Sequence, residues 1–423
     1  MTIIGLDDTD SRELGMCTTY VASTLAAEIQ DAFGTVARTL LVRLNPAVEH
    51  KTRGNAALAI HCDVDVERAL TLGRETLDLA ATDDERTNPG LVVAPGQPGD
   101  VPDTVSSFSR QAVAEYCTPE AAREHCQTAG YVTATRGTGR GLVGALAAVG
   151  AWSAFDEWTY ECISYRERER WGTPRAVDEA SVFAAADAGY PDVWDTVDRE
   201  ESVMVCVPRT PCPILHGIRG DDPEAVEDVA DRIESEPVAH RRLFVTNQGT
   251  DSHLRDSTLS DVEDGYAYRV DATVREPPYT REGGHVFLTL GNGEEATRLQ
   301  AAAFEPTKRF RDHVRNLRVG DTITVCGEVQ DGTLKLEKFA VRELVKTELT
   351  TPTCPSCDRS MKSAGKNAGY RCRDCGTRAE GKVEQELDRK LERGWYEVPP
   401  CARRHIAKPL VRGGFDAPTH PER

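Results

Sequence analysis

Thr2-Ile-Ile-Gly-Leu-Asp-Asp-Thr-Asp-Ser11 decides how the chain is read. Residues 2–6 form a short apolar run, the signature of a buried strand, and they end on an acidic cluster of Asp7, Asp8 and Asp10. After the turn from Arg12 to Cys17, residues 18–33 place Tyr20, Val21, Leu25, Ile29 and Phe33 at helical spacing, with Gly34 as the stop. The chain therefore opens as strand, loop, helix.

Working outward, strands are expected at 35–43 and 56–64, and a helix over 66–81. Asp83 to Asp103 is rich in Pro, Gly and charge and reads as a loop. A helix from Val105 to Tyr116 follows, and Arg136-Gly-Thr-Gly-Arg-Gly141 leads into an apolar helix from Leu142 to Val149. From Trp158 the order is strand (158–165), helix (178–188), two strands (202–208 and 213–218), helix (223–234) and strand (241–246). That βαββαβ order is the ferredoxin-like pattern. From Tyr266 the period becomes two, giving strands at 266–274, 284–290, 298–303, 321–329 and 333–343, a set that suits a small barrel of the OB type.

The length of 423 residues suits two to four domains. Net charge is −18, and the cations are mostly arginine. Charge is unevenly spread: residues 351–423 hold 15 basic and 10 acidic side chains, a net +5, which leaves −23 on residues 1–350. An acidic body argues against a generic nucleic-acid binder, and abundant carboxylates with scarce lysine suit the solvating surface of a salt-adapted cytoplasm. RNA-facing charge, if any, is then expected to be local, on the basic tail and the Arg-rich turns. The N-terminus shows no export signal, and the longest weakly polar run, Gly141 to Trp152, is too short for a bilayer, so a cytoplasmic protein with no membrane contact is expected. Thirteen cysteines, nine of them scattered, fit reduced thiols.

The other four are Cys354-Pro-Ser-Cys357 and Cys372-Arg-Asp-Cys375. Two such knuckles let four thiolates converge on one zinc ion, a closed structural site. Asp7, Asp8 and Asp10 at a strand end offer hard oxygens for Mg²⁺, although a turn or capping cluster has the same composition. Gly15-Met-Cys-Thr-Thr19 stands where a helix begins, so free N–H groups and a Thr hydroxyl would meet a phosphate there; Thr18 as a plain N-cap is the alternative. Arg136, Gly137, Gly139 and Arg140 make a second candidate phosphate cradle, without the Gly-Lys-Ser/Thr of a Walker A loop. Lys51-Thr-Arg-Gly-Asn55 is a third basic turn, or a solvated hairpin. The stretch Arg393 to Lys408 interleaves aromatic and basic residues, which suits RNA contact or a tail packed on its own domain.

Taken in order, Gly5-Leu-Asp-Asp-Thr-Asp-Ser11, Gly15-Met-Cys-Thr-Thr19, Thr210-Pro-Cys-Pro213 with Gly217-Ile-Arg-Gly220, Thr246-Asn-Gln-Gly-Thr-Asp251, Ala303-Phe-Glu-Pro-Thr-Lys308 and the cysteine knuckles resemble the archaeal tRNA(Ile) 2-agmatinylcytidine synthetases over the whole chain. The resemblance implies an α+β multidomain enzyme: a kinase-like ATP-binding domain (1–155), a ferredoxin-like domain (156–262), an OB-fold (263–346), a zinc ribbon (347–380) and a basic tail (381–423). It implies an ATP- and Mg²⁺-dependent ligase that joins agmatine to C2 of the wobble cytidine of tRNA(Ile) with anticodon CAU, through a phosphorylated cytidine, with no obligate protein partner. By the same resemblance Asp7, Asp8 and Asp10 hold Mg²⁺ and the ATP phosphates. Gly15, Thr18 and Thr19 are expected to contact phosphate, Arg136, Gly137, Gly139 and Arg140 by their position phosphate or RNA, and Thr18 matches the threonine that the family phosphorylates on itself. Asp251 is the candidate for the agmatine guanidinium.

Two other readings compete. In one, barrel and ribbon bind single-stranded nucleic acid and the N-terminal half is a docking module, although a pure binder has no need of three carboxylates beside a polyanion. In the other, Asp8-Thr9-Asp10-Ser11 is a near miss to the Asp-nucleophile motif of a phosphotransferase.

Overall fold

A computed structural model describes residues 1–48, 54–293 and 297–423; Lys51-Thr-Arg of the third basic turn lies outside the described residues, while Gly54 and Asn55 lie inside them. The opening run is β1 (Thr2–Asp7), buried from Thr2 to Leu6. It is followed by α1 (Thr18–Ala32), β2 (Val36–Arg43), β3 (Ala56–Cys62) and α2 (Val66–Thr76), which runs into a 3₁₀ turn over Leu77–Leu79.

The stretch 83–103 is not a single loop. Its Gly90-Leu-Val-Val-Ala-Pro95 is a strand, β4, buried from Gly90 to Ala94 and paired antiparallel with β1 along its length. The flanking Asn-Pro and Pro-Gly pairs hid a short apolar run that is covered on both faces. Next come α3 (Asp103–Ala114), α4 (Pro119–Thr128), β5 (Val132–Thr135) and α5 (Leu142–Ala154); α4 and β5 had no counterpart in the sequence reading.

The next unit comprises β6 (Thr159–Arg166), α6 (Glu179–Gly189), β7 (Val193–Trp194), β8 (Val197–Asp198), β9 (Val203–Met204), β10 (Ile214–Gly220), α7 (Pro223–Arg232) and β11 (Val238–Thr246). The strand expected over 202–208 is corrected to β9 alone, which pairs with β8 in a separate ribbon. Val205 and Cys206 leave the extended path because both their amides converge on the carbonyl of Thr196, at 3.0 and 3.1 Å. The place in the main sheet falls instead to β7, beside β10.

One sheet runs through both units, in the order β5-β4-β1-β3-β2-β11-β6-β10-β7. The join is the parallel pair β2–β11, where Leu40 faces Val245 and Leu41 faces Thr246. Successive residues of β1 go to opposite faces: Ile3 packs with Phe108 and Leu146 under α3 and α5, and Ile4 packs with Leu25 and Ile29 of α1. This places the start of α1 and the start of α5 together at the carboxyl end of β1, an interior strand of the sheet.

After β12 (Leu254–Ser257), the strands β13 (Ala267–Thr280), β14 (Val286–Gly291), β15 (Arg298–Ala303), β16 (Thr322–Gln330) and β17 (Thr333–Glu343) close a five-strand barrel through the pairs β13–β14, β14–β15, β15–β17, β17–β16 and β16–β13, with α8 (Phe310–Arg315) against its core. Beyond it, β18 (Thr347–Thr350) pairs with β22 (Val383–Glu386) and encloses the three-stranded β19 (Lys362–Ser363), β20 (Tyr370–Arg371) and β21 (Arg378–Ala379).

The stretch 381–423 is not a free basic tail. Its β23 (Gly394–Glu397) adds to β17 and its β24 (Thr419–His420) adds to β23. Three of its arginines are taken up by ion pairs within the protein: Arg403 pairs with Asp195 and with Glu397 at 2.8 Å, Arg404 with Glu337 at 3.1 Å, and Arg412 with Asp221 at 2.6 Å, while Lys382, Lys390 and Arg393 are exposed. Among the described residues, no helix is long and apolar enough to cross a membrane.

Candidate functional site

The acidic cluster sits where β1 ends. Asp7 is the last residue of that strand, and Asp8 turns into the left-handed region at φ +58° with its amide donating to Asp7 Oδ1 at 2.7 Å. Helix α5 comes very close: a Cβ at Gly144 would lie 2.0 Å from Asp7 Oδ2, so only glycine permits this approach. Burial, reinforced by the charge of Asp8, raises the Asp7 carboxyl well above the usual range. Burial likewise raises Asp8 to about 6, even though Arg140 pulls the other way. Carboxylates held this way are starved of positive charge, which is what a divalent cation supplies.

A tight turn follows, closed by Ser11 N donating to Gly15 O at 2.8 Å, with Gly15 at φ +87° and Met16 at φ +60°. It delivers α1 with its N-terminus open. The N-cap is Cys17 rather than Thr18, and no side chain caps the helix. Thr18 and Thr19 therefore occupy the first turn, where backbone N–H groups lack intrahelical acceptors and the helix dipole favours an anion. Thr18 Oγ1 accepts from Thr9 Oγ1 at 3.1 Å, so its hydroxyl is anchored beside the carboxylates.

The glycine-rich turn comes in from the far side, held to the 84–90 segment by Thr138 N to Asn88 Oδ1 at 2.9 Å and Gly141 N to Asn88 O at 3.0 Å. Arg140 reaches across it, with Nε 3.0 Å and Nη2 2.9 Å from Asp8 Oδ2. Arg136 does not: it pairs at the surface with Asp78 at 3.1 Å. Gly137 and Gly139, at φ +60° and +75°, shape the turn without forming part of the cavity wall.

These groups line one side of a cavity of about 520 Å³. Asp7, Asp8, Asp10, Thr18, Thr19, Thr138 and Arg140 are there together. Another part of the lining was not legible as a site: Arg43 from β2, Glu161 from β6, Arg219 from β10 and His405 from the C-terminal segment. Three of them are tied together by Gln248, whose amide nitrogen donates to Glu161, whose Oε1 accepts from Arg43 Nη2 at 3.3 Å and lies 3.2 Å from His405 Nδ1; Arg219 pairs instead with Asp195. Gln248 and Arg219 fall within two of the quoted motifs, Thr246 to Asp251 and Gly217 to Gly220, and that is the only sequence signal they carried.

Asp251 lies elsewhere. Both its oxygens are held by Lys338 Nζ, at 2.9 and 2.7 Å, and Oδ1 also accepts from Lys408 N at 2.7 Å, so the carboxylate clasps barrel to C-terminal segment and is absent from the cavity wall.

The second centre is the ribbon, where the Sγ atoms of Cys354, Cys357, Cys372 and Cys375 all lie within 4.8 Å of one another. Four converging thiols with no further ligand fit a closed tetrahedral zinc site that holds a small fold together.

Three family models match the chain: the TiaS TCKD domain at residues 3–74, the TiaS FLD domain at 139–253 and the TiaS C-terminal zinc ribbon domain at 351–391. The tRNA(Ile) 2-agmatinylcytidine synthetase TiaS of Haloquadratum walsbyi is 53% identical over 462 residues, covering 100% of both chains. That of Methanosarcina acetivorans is 45% identical over 420 residues, covering 97% of each. Among solved structures, the complex of TiaS with its isoleucine tRNA and ATP superposes with a TM-score of 0.91 at 39% identity, over 100% of this chain and 99% of the other. The complex of TiaS with the same tRNA, AMPCPP and agmatine gives 0.88 at 37%, over 100% and 99%.

Proposed function

The chain belongs to the tRNA(Ile) 2-agmatinylcytidine synthetase family, and from that premise we propose how its own residues perform the reaction. It is an ATP-dependent ligase that joins agmatine to the wobble cytidine of its isoleucine tRNA. Its fold is a mixed α/β multidomain one with a five-strand barrel and a C-terminal zinc ribbon.

The carbonyl oxygen at C2 of cytosine is a poor leaving group until it is phosphorylated; the amine then adds at C2 and phosphate departs. Phosphoryl transfer asks a protein mainly for positioning and charge neutralisation. In our reading Asp7, Asp8 and Asp10 hold Mg²⁺, which when bound neutralises and orients the ATP phosphates. The open N-terminus of α1 and Arg140 receive phosphate oxygens. Thr18, anchored by Thr9 at 3.1 Å, is the self-phosphorylated hydroxyl. Gly15, Thr19, Gly137 and Gly139 shape or line this phosphate side, while Arg136 on the surface is left for RNA. Agmatine, a dication, takes the part of the cavity where Glu161 supplies carboxylate; Asp251 positions the C-terminal segment.

The finer architecture follows the same reading: residues 1–155 as the kinase-like domain, 156–262 as ferredoxin-like, 263–346 as an OB-fold and 347–380 as the core of the ribbon. The antiparallel order β11-β6-β10-β7 supports the second of these and the closed five-strand barrel the third. A cytoplasmic location is consistent with a tRNA substrate.

One observation carries the account: Asp8 and Arg140 meet at the uncapped start of α1, in the same cavity as Glu161. Asp8→Asn is expected to abolish tRNA-dependent ATP consumption while tRNA affinity holds. Loss of affinity with ATP turnover intact would favour the single-stranded binder instead.

A further inference from the structure

Agmatine's primary amine is an ammonium at neutral pH, and its nitrogen must give up protons to bond to C2, so the cavity needs an acceptor. The carboxylates of the cavity are engaged, Asp7 and Asp10 along with Asp8 in the Mg²⁺ site of the reading above. Asp8 is held by Arg140 at 2.9 Å, Glu115 by Arg255 at 3.3 Å, and Glu161 by the Gln248 amide with Arg43 at 3.9 Å.

His405 enters the same cavity from the C-terminal segment. Its main chain is pinned, since Gly249 N donates to His405 O at 2.8 Å and Asp251 N to Ile406 O at 3.0 Å. Its Nδ1 lies 3.2 Å from Gln248 Oε1. Gln248 cannot turn round, because its nitrogen is spent on Glu161 and its oxygen also accepts from Arg43. An acceptor opposite Nδ1 requires the proton on Nδ1, which leaves the lone pair of the neutral ring on Nε2. Among the described residues Nε2 makes no hydrogen bond, and the side chain is exposed to the cavity.

We propose that His405 accepts, at Nε2, the proton that the agmatine amine sheds as it bonds to C2 of the wobble cytidine. The inference rests on the ligase reading above. The ammonium first gives one proton to water; as the resulting neutral amine nitrogen bonds to C2, the C2–O bond breaks and its electron pair leaves with the phosphate, and the second N–H proton passes to Nε2 and from there to the released phosphate or to water, so the imidazole is regenerated. The surroundings keep the ring free to do this. Enclosure by the protein, then the Arg43 and Arg219 guanidiniums, hold its pKa well below the usual value, so it is neutral before the step. The phosphate on the activated cytidine brings negative charge that raises the ring's proton affinity when the amine attacks.

The test separates two half-reactions in the full-length enzyme: ATP-dependent phosphorylation of the cytidine, and formation of the agmatine adduct. In His405→Gln, which keeps a donor for Gln248 but has no base, adduct formation is expected to fall about 100-fold while phosphorylation changes by less than about threefold. His405→Ala is expected to regain adduct formation when imidazole is added. Wild-type adduct rates in His405→Gln would overturn the proposal, as would an equal fall in both half-reactions with no imidazole rescue in His405→Ala. Wild-type enzyme that phosphorylates tRNA but never forms the adduct would overturn the ligase reading and this proposal with it.

Discussion

Nη2 of Arg140 lies 2.9 Å from Oδ2 of Asp8, and this contact closes the glycine-rich turn onto the acidic strand end across 132 residues of sequence. Removing one partner of such a pair leaves a partly buried carboxylate without its donor, a loss of about 1.5–3 kcal/mol. In the proposed site Arg140 also contacts the phosphates, a charge-assisted bond of similar size, so Arg140→Gln is expected to weaken ATP binding by roughly 10- to 100-fold with the fold intact, as read by titration calorimetry. Arg136→Gln, at the surface pair with Asp78, is expected to leave ATP binding unchanged.

The acidic cluster gives the metal-free protein a pH dependence of definite sign. Asp8 binds its proton more tightly in the folded state, at about 6, than at its ordinary 3.8. Its contribution to stability is therefore full below the ordinary value and is lost as pH rises through about 6. Mg²⁺ offsets that loss by binding the ionised form. A gain of a few degrees in Tm on adding Mg²⁺ is expected at about pH 7.5, and almost none at about pH 4.5.

Thr18 is expected to carry phosphate after incubation with ATP and Mg²⁺. Thr18→Ser retains the modification and Thr18→Ala loses it, as read by peptide mass spectrometry. An acid-labile phosphate on Asp8 instead would point to aspartyl-phosphate chemistry.

The parts of this site that were legible in the sequence are those built from local chemistry. Asp7 and Asp8 stand at the end of an apolar run, and Cys354 to Cys375 have ligand spacing, so each announces itself within a short window. The Glu161 and His405 part of the lining is assembled from distant segments. Glu161 is one residue of a strand, and His405 sits in a stretch whose arginines suggested RNA, yet Gln248 binds both. No local pattern encodes such a meeting, which depends on β2 and β11 pairing across the two units and on the C-terminal chain folding back. The barrel strands were found because alternation is a local signal, whereas β4 was hidden by its flanking prolines and glycines.

The zinc ribbon is expected to depend on its metal. Cys357→Ser, or a strong chelator, removes one zinc per chain and melts the ribbon selectively, since structural zinc contributes on the order of 10 kcal/mol to such small folds. Far-UV spectra would change modestly, and tRNA-dependent activity would fall while ATP binding to the N-terminal cavity persists.

The C-terminal arginines are expected to act on stability rather than on tRNA affinity. Arg403 is buried between Asp195 and Glu397, and truncating one member of such a cluster strands the others, at about 3–5 kcal/mol. Arg403→Ala should lower the urea midpoint markedly. With these cations paired internally, tRNA binding should also fall off only shallowly with salt.

The central claim is that one cavity, lined by Asp8, Arg140 and Glu161, links ATP cleavage to amine addition on the wobble cytidine. Nucleoside mass spectrometry of the isoleucine tRNA after incubation with the enzyme, ATP, Mg²⁺ and agmatine tests it most directly. The account predicts that the wobble cytidine gains the mass of agmatine less water, only when all components are present, and that Asp8→Asn forms none. ATP consumed with no adduct on that base, or adduct formed by Asp8→Asn at the wild-type rate, would contradict it.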